Sequence, residues 1–254
     1  MADAQDILAG VDALVFDAFG TTVDWYTTLT REIPPRSHGI LTEGTQDTHD
    51  FVYEWRQGYL TNTAKIAKGE MGMIPTDALH RQLLDVMLAS ERWRKLADVW
   101  GDEERAQLTM LWHSLDGYSD VSHGLRELGK HKLVVTLSNG NARLLMDMAK
   151  HADLKWDALF STEFYGAYKP NVEVYSKTAY HLSLDPNKIA MVAAHIWDLR
   201  AAAQAGFKTV YVSRPAEDTP EIKASLKTKK DGGEVDVIVG SFGELAELVE
   251  KNAI

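Results

Sequence analysis

The chain has 254 residues, no cysteine, 45% hydrophobic residues and a formal net charge of −10 at pH 7. The absence of cysteine excludes disulfides, thiolate catalysis and cysteine-based zinc sites, and the negative charge disfavours nucleic-acid binding, which needs a basic face. No apolar run approaches the ~18 residues of a membrane span, and the first ten residues lack the basic start of a secretory signal. We therefore expect a cytoplasmic protein with neither nucleic-acid nor membrane partners.

Short apolar runs alternate along the chain with segments of helical periodicity. The first run is Ala13–Phe16, and five further runs occupy residues 133–137, 158–160, 189–194, 209–212 and 235–239. Buried strands separated by crossover helices predict an α/β fold, with a doubly wound, Rossmann-like parallel sheet as its core. Ligands of such sheets bind beyond the carboxyl ends of the strands.

Residues 24–111 show no convincing strand, and their apolar residues recur at helical spacing. The repeating sets are Trp25, Leu29 and Ile33, then Val52, Trp55 and Tyr59, then Leu79, Leu83 and Met87. We therefore predict a helical cap domain over residues 24–111, inserted into a core domain formed by residues 1–23 and 112–254. The polar, turn-rich segment 214–234 is predicted to be a surface loop with one short helix.

A single carboxylate, Asp17, ends the first apolar run and is followed by Gly20, Thr21 and Thr22. The residues alone leave two interpretations open. Asp17 either caps the turn, or it is a functional group beside a turn whose free N–H groups bind an anion.

Three later strands also end in polar residues. These residues are Ser138 and Asn139 in "LSNGN", Lys169 in "YKP", and His195, Trp197 and Asp198 in "HIWD". Taken singly, each group has an ordinary structural explanation: helix capping for the serine, asparagine and aspartate, solvation for the lysine, and a satisfied loop position for the histidine. The proline after the lysine suits the first position of a helix.

The four groups together, in this order, resemble the motifs of the haloacid dehalogenase superfamily over nearly the whole chain. The motifs read "DAFGTT", "LSNG", "YKP" and "HIWDLRAAAQAG". Most members of that superfamily are magnesium-dependent phosphatases, with a second acid two residues after the nucleophile and an acidic pair in the last motif. Phe19 and Ala194 occupy two of those acidic positions here, which disfavours both a general acid and a magnesium site. A magnesium-dependent small-molecule phosphatase with an atypical site remains the alternative.

The first motif, with its aromatic residue, resembles the L-2-haloacid dehalogenase branch of the superfamily, which uses no metal and no other cofactor. A halide leaves as a stable anion and needs no proton from a general acid. The resemblance implies hydrolysis of short 2-haloalkanoic acids to 2-hydroxy acids and halide through an ester on Asp17. It also implies a 2-haloacid as the small-molecule partner. A homodimer is a further expectation, although no segment of the sequence indicates an interface.

The same resemblance implies a role for each catalytic residue. Asp17 is the nucleophile, Thr21 hydrogen-bonds to it, and Lys169 supports its charge. Asp198 pairs with Lys169, which would be costly to bury alone. Tyr175 orients this pair and belongs to the substrate-binding set.

Further residues are implied to bind the substrate. Arg56, in "EWRQGYL", and Asn139 would stabilise the departing halide, although a surface arginine on an amphipathic helix is the plainer interpretation of Arg56. The substrate carboxylate would be held by Ser138 and by the backbone N–H groups of Ala18 and Phe19. Trp197 completes this set.

His195 departs from the pattern of the branch. The last motif there resembles Ser-Ser-Asn-x-Trp-Asp, whereas this chain reads "AAHIWD", with Ala193 for a serine and His195 for the asparagine. We expect His195 to be the general base that activates water for ester hydrolysis. The other interpretation is a hydrogen-bond donor that shapes the pocket.

Overall fold

A six-stranded parallel sheet forms the centre of the protein. The structure is a computed structural model that describes residues 4–251, so residues 1–3 and 252–254, the outer ends of the predicted core domain, lie outside the described residues. The strands are β1 (Ala13–Phe16), β2 (Leu133–Ser138), β3 (Ala158–Ser161), β4 (Ile189–Ala193), β5 (Lys208–Val212) and β6 (Val237–Val239). Their order is β3-β2-β1-β4-β5-β6, which confirms the predicted doubly wound α/β sheet.

The central strand β1 is buried on both faces, as parallel strands usually are. Its side chains alternate between two hydrophobic clusters, because successive residues of a strand point to opposite faces. Leu14 and Phe16 join one cluster, whereas Ala13 and Val15 join the other. β1 pairs with β2 on one side and β4 on the other, so the strand order reverses at its carboxyl end, where doubly wound sheets bind ligands.

Helices cover both faces of the sheet and fill the interval after β1. They are α1 (Ala4–Ala9), α2 (Trp25–Glu32), α3 (Gln46–Ala67), α4 (Thr76–Leu88), α5 (Arg94–Val99), α6 (Asp102–Met110), α7 (Val121–Leu128), α8 (Ala142–His151), α9 (Val172–Leu182), α10 (Ile196–Gln204), α11 (Pro220–Ser225) and α12 (Phe242–Glu250). Residues 24–111 contain α2 to α6 and no strand; we call this segment the helical insert. Within residues 4–251, no helix has the length and apolar character needed to cross a bilayer.

The longest helix of the insert, α3, brings one polar residue toward the sheet. Its buried face carries Phe51, Val52, Trp55 and Tyr59, and Arg56 is buried with them. The aromatic residues pack against one another, against Trp93 and Trp100 of the insert, and against Trp112 just after it. This packing fixes the helix, and with it the position of Arg56.

One expectation about local structure is wrong, and another holds only in part. Pro170 does not begin a helix, because α9 starts two residues later with Asn171 as its N-cap. Residues 214–234 contain the short helix α11, but they are not uniformly on the surface: Arg214 and Glu217 are each only 5% exposed. The reason is that β5 ends at the carboxyl edge of the sheet, so the residues after it return over that edge.

The packing of α7 on α12 gives a test of the core. A Cβ at Gly124 would lie 2.5 Å from the Cβ of Phe242, so Gly124→Ala should lower the free energy of unfolding by about 1–3 kcal/mol, although alanine favours helices. Gly243→Ala, also in α12, is the control, since its Cβ would meet nothing closer than 3.7 Å. Denaturant unfolding measures both. Wild-type stability for Gly124→Ala would contradict this close packing.

Candidate active site

The carboxylate of Asp17 lies at the carboxyl end of β1 and is held by three side chains. Its Oδ1 accepts a hydrogen bond from Lys169 Nζ at 2.7 Å. Its Oδ2 accepts one from the Thr21 hydroxyl at 2.8 Å and lies 3.2 Å from His195 Nδ1. Burial raises the pKa of Asp17, but the charge of Lys169 and the hydrogen bond and charge of His195 outweigh burial. The net pKa therefore lies well below its ordinary value, and the carboxylate is ionised at neutral pH.

Lys169 joins two buried carboxylates. Its Nζ also donates to Asp198 Oδ2 at 2.5 Å, and all three side chains are nearly inaccessible to solvent. Burial lowers the pKa of Lys169, but the charges of Asp17 and Asp198 raise it above its ordinary value. Burial, together with the charge of Asp17, raises the pKa of Asp198 against the opposing effect of Lys169. The ammonium thus occupies the space between the two acids.

Tyr175 lies behind this pair and away from the open space of the site. Its hydroxyl donates a hydrogen bond to Asp198 Oδ1, and its side chain is fully buried on α9. This geometry suits the orienting role expected of Tyr175. Tyr175 cannot make the expected contact with the substrate, because the face of α9 that carries it points into the core.

His195 lies between two carboxylates, Asp17 and Glu217. Its Nε2 is 2.7 Å from Glu217 Oε2, and Glu217 also accepts a hydrogen bond from Trp25 Nε1. Burial lowers the pKa of His195, but the charges of Glu217 and Asp17 and the hydrogen bonds to them raise it to about 10. The charge of His195 in turn keeps the pKa of Glu217 below its ordinary value despite burial.

The protonation state of His195 corrects part of the sequence-based interpretation. At neutral pH the ring is an imidazolium, which has no free lone pair and cannot take a proton from water. In this resting state His195 is the hydrogen-bond donor of the second interpretation. A general base at this position first has to lose the proton that Asp17 and Glu217 stabilise.

Glu217 is the functional candidate that the sequence reading missed. Its carboxylate packs against Gly20, where a Cβ would come within 3 Å of the carboxylate atoms. The φ angle of Gly20 is +78°, which glycine adopts without strain. Glycine therefore allows both the turn after Asp17 and the close contact with the Glu217 carboxylate. A signal was present: Glu217 follows the end of β5 closely, in the same way that the other candidates follow their strands.

Ser138 ends β2 and Asn139 follows it, and Asn139 contacts other loops of the site. Asn139 Oδ1 accepts hydrogen bonds from Lys169 N at 2.8 Å and from Thr162 Oγ1 at 3.0 Å, and its Nδ2 donates to Lys169 O at 3.3 Å. The Ser138 hydroxyl oxygen accepts from Gly140 N at 3.2 Å. Asn139 therefore fixes the backbone of Lys169 and keeps one amide N–H for a ligand.

The turn after Asp17 presents unused backbone donors. The carbonyl of Ala18 accepts hydrogen bonds from the N–H groups of Thr21 and Thr22, which closes the turn. The N–H groups of Ala18 and Phe19 have no hydrogen-bond acceptor in the described part of the chain. Such a pair of adjacent amides suits an anionic group.

Arg56 is 2% exposed and is surrounded by aromatic rings. Its guanidinium carbon lies 5.6 Å from the ring centre of Phe19, 5.4 Å from that of Trp25 and 5.6 Å from that of Tyr59. Its Nε and Nη1 are buried and have no hydrogen-bond partner among residues 4–251. Cation–π contacts recover part of the cost of burying this charge. Because buried donors are nearly always satisfied, the site is suited to an anion.

A small cavity connects these groups. It is lined by Asp17, Phe19, Arg56, Tyr59, Leu60, Ser138, Asn139, Lys169, His195 and Trp197. Its volume, counted as space for the centre of a water molecule, is ≈ 20 Å³, enough for about one water. A groove of ≈ 410 Å³ adjoins it and shares Arg56, Leu60, His195 and Trp197 with it.

The structure thus brings together most of the predicted site residues. Asp17, Thr21, Lys169, Asp198 and His195 are in direct contact, and Phe19, Arg56, Ser138, Asn139 and Trp197 line the cavity beside them. Tyr175 lies outside the cavity, and so does Ala18, which offers only its backbone. Residues 4–251 contain no group of three or more histidine, aspartate or glutamate side chains arranged to hold a metal ion.

Comparisons with known proteins identify the family of this chain. Residues 11–206 match the model of the haloacid dehalogenase-like hydrolases. The (S)-2-haloacid dehalogenase 4A of Burkholderia cepacia is 28% identical over 94% of this chain and 95% of its own. The crystal structure of the L-2-haloacid dehalogenase PA0810 is similar over 93% of this chain and 98% of that protein's chain, with 29% identity and a TM-score of 0.79. The crystal structure of the defluorinating L-2-haloacid dehalogenase Rha0230 is similar over 94% of this chain and 95% of that protein's chain, with 30% identity and a TM-score of 0.82. The resemblance drawn from the motifs is confirmed, and the chain belongs to the haloacid dehalogenase-like hydrolase family.

Proposed function

We propose that this protein hydrolyses short 2-haloalkanoic acids to 2-hydroxy acids and halide through an ester on Asp17, without a metal. One observation carries the proposal: an ionised carboxylate faces a buried, incompletely bonded arginine across a cavity, and an aromatic ring stands where a phosphatase keeps its general acid. Phe19 cannot protonate an alcohol leaving group, but a halide needs no proton. The named (S)-2-haloacid dehalogenases among the relatives support the same activity.

The first step is nucleophilic substitution at the carbon that bears the halogen. A carboxylate oxygen of Asp17 forms a bond to that carbon with inversion, and the carbon–halogen bond breaks with both electrons leaving on the halide. Arg56 stabilises the departing anion with its charge and its free N–H groups, assisted by the remaining N–H of Asn139. The N–H groups of Ala18 and Phe19, together with Ser138, hold the substrate carboxylate.

The second step is hydrolysis of the ester. Alkylation of Asp17 lowers the pKa of His195 and so lets it act as a base in this step. Ester formation removes the negative charge of Asp17, which is one of the two charges that raise the pKa of His195. The imidazolium can then release its Nδ1 proton to solvent, while Nε2 continues to donate to Glu217. Water attacks the Asp17 carbonyl carbon and gives a proton to Nδ1. The bond between the Asp17 carbonyl carbon and the product oxygen then breaks, and that oxygen takes the remaining proton of the attacking water. The 2-hydroxy acid leaves, and Asp17 is again a carboxylate beside a protonated His195.

The shape of the cavity favours small substrates. The cavity beside Asp17 has room for only about one water molecule, so even an acid of two or three carbons would have to part the lining side chains. Leu60 and Trp197 line both the cavity and the wider groove, so longer alkyl chains would have to extend past them. We propose haloacetates and 2-halopropionates as substrates. The defluorinating relative makes fluoroacetate worth including. The phosphatase alternative gains no support, because neither Phe19 nor Ala194 can serve as an acid.

The role of Asp17 is tested by replacing it with asparagine, which keeps its shape. We expect Asp17→Asn to lower halide release from (S)-2-chloropropionate at least about 10³-fold, as removal of a nucleophile does elsewhere. The assay contains a chelator, and thermal unfolding checks that the variant folds. Phosphate release from an aryl phosphate with magnesium is measured in parallel. Phosphate release without halide release in the wild type would overturn the proposed function.

The role of His195 is tested by trapping the ester. His195→Ala should still be alkylated but should hydrolyse the ester about 10²–10⁴-fold more slowly, the usual contribution of a general base. Mass spectrometry of the peptide that contains Asp17 should then show the added acid. His195→Asn, which restores the residue expected in this branch, is the comparison. If His195→Ala does not accumulate the ester, the general-base role is wrong.

The pH dependence of the two steps should differ. Asp17 has a lowered pKa, so its alkylation in a single turnover should stay constant from pH 5 to 9. Ester hydrolysis needs neutral His195, so its rate should rise with pH through a pKa that lies below about 10 in the ester. Glu217→Gln removes the charge that raises this pKa and should move the rise to lower pH. Rapid-quench assays measure both steps. An unshifted hydrolysis profile in Glu217→Gln would contradict the role of Glu217.

A further inference from the structure

The start of α4, in the helical insert, is hydrogen-bonded to loops at the carboxyl edge of the sheet. Thr76 Oγ1 donates to the carbonyl oxygen of Asn139 at 2.6 Å, and Thr76 N–H donates to Glu163 Oε1 at 2.7 Å. The Tyr168 hydroxyl donates to the carbonyl oxygen of Ile74 at 2.7 Å. Thr76 and Tyr168 are fully buried. Two segments of the chain that are far apart in sequence are therefore joined by directed, solvent-free hydrogen bonds.

The first turn of α4 depends on these partners. Its N-cap position is Pro75, which has no side-chain acceptor to offer, although helix N-termini normally need one for their free N–H groups. Glu163, which follows β3, supplies that acceptor from outside the helix. A carboxylate at this end also complements the helix dipole. The helix start is thus completed only when it lies on the core loops.

A second contact holds the same turn of α4. Asp77 Oδ1 lies 3.1 Å from His113 Nε2, and His113 Nδ1 lies 3.0 Å from Asp147 Oδ2 on α8. Burial lowers the pKa of His113, but hydrogen bonds and charges from both aspartates raise it above its ordinary value. Asp147 also pairs with Arg143 at 2.7 Å. Because α8 begins just after Asn139, both contacts fasten α4 to the same region of the core.

The residues that α4 contacts are those that hold Lys169. Asn139, whose carbonyl accepts from Thr76, binds Lys169 through both its amide oxygen and its amide nitrogen. Tyr168, which donates to Ile74, directly precedes Lys169 in the chain. A displacement of α4 would therefore be passed to Lys169, and from it to the 2.7 Å contact with Asp17.

We propose that Thr76 and Tyr168 form a latch between the helical insert and the core, and that Thr76 is a positioning residue for Lys169. Neither residue lines the cavity, so both act through other residues. This inference rests on the proposed function in one respect, the part that Lys169 plays in the reaction. The latch links the position of the insert, which carries Arg56, to the placement of Lys169 beside Asp17.

The test replaces the Thr76 hydroxyl while keeping the shape of the side chain. We expect Thr76→Val to lower the single-turnover rate of Asp17 alkylation by (S)-2-chloropropionate about tenfold, because small misplacements of reacting groups are costly. Thr76→Ser should restore the rate. Thr109→Val is the control: Thr109 is a buried threonine of α6 whose hydroxyl donates within its own helix, to Arg105 O at 2.9 Å. It should keep the wild-type rate.

Hydrogen exchange supplies a readout that does not depend on catalysis. The amide of Lys169, which donates to Asn139 Oδ1, should exchange faster in Thr76→Val but not in Thr109→Val. If Thr76→Val does not fold, Tyr168→Phe tests the same latch through Ile74. Unchanged exchange would overturn the proposal, and so would faster exchange with an unchanged alkylation rate. Absence of halide release by the wild type would instead overturn the proposed function, and exchange would still test the latch.

Discussion

The Lys169 ammonium lies between two buried carboxylates, 2.7 Å from Asp17 and 2.5 Å from Asp198, and the geometry of the site depends on this contact. None of the three charges would be stable here alone, because an unpaired buried ion costs several kcal/mol. Lys169 also determines which way the Asp17 carboxylate faces. The loops after β1, β2 and β4 meet around it, and α4 holds the Asn139 loop that positions it.

Charge balance in the site follows from the same arrangement. Three carboxylates, those of Asp17, Asp198 and Glu217, are buried with three cations, those of Lys169, His195 and Arg56. Of these three cations, only Arg56 has buried donors without a hydrogen-bond partner among residues 4–251. In the proposed reaction, the departing halide supplies the acceptor that Arg56 lacks. In the same proposal, His195 is charged while Asp17 is ionised and can become neutral once Asp17 is an ester.

Most of the sheet could be predicted from local patterns in the sequence, whereas the contacts of Asp17 with Thr21 and Lys169 were implied by the resemblance to the superfamily. Apolar runs gave the strands, and the carboxyl ends of parallel strands meet at one edge, which brings Asp17, Ser138, Lys169 and Asp198 together. Contacts that depend on the path of a loop over the sheet edge, or on which helix face packs against the core, could not be predicted from the sequence. Glu217 was placed on a surface loop, Tyr175 was assigned a substrate contact that its helix face excludes, and Thr76 carried no motif.

The most direct test of the account is a single turnover with excess enzyme in ¹⁸O-labelled water. If Asp17 forms the ester and water attacks its carbonyl carbon, the label should appear first in the side chain of Asp17, and the 2-hydroxy acid should carry an unlabelled oxygen from the enzyme. Mass spectrometry of the Asp17 peptide and of the product reads both. Label in the product hydroxyl, with none in Asp17, would show that water attacks the substrate directly and would contradict the account.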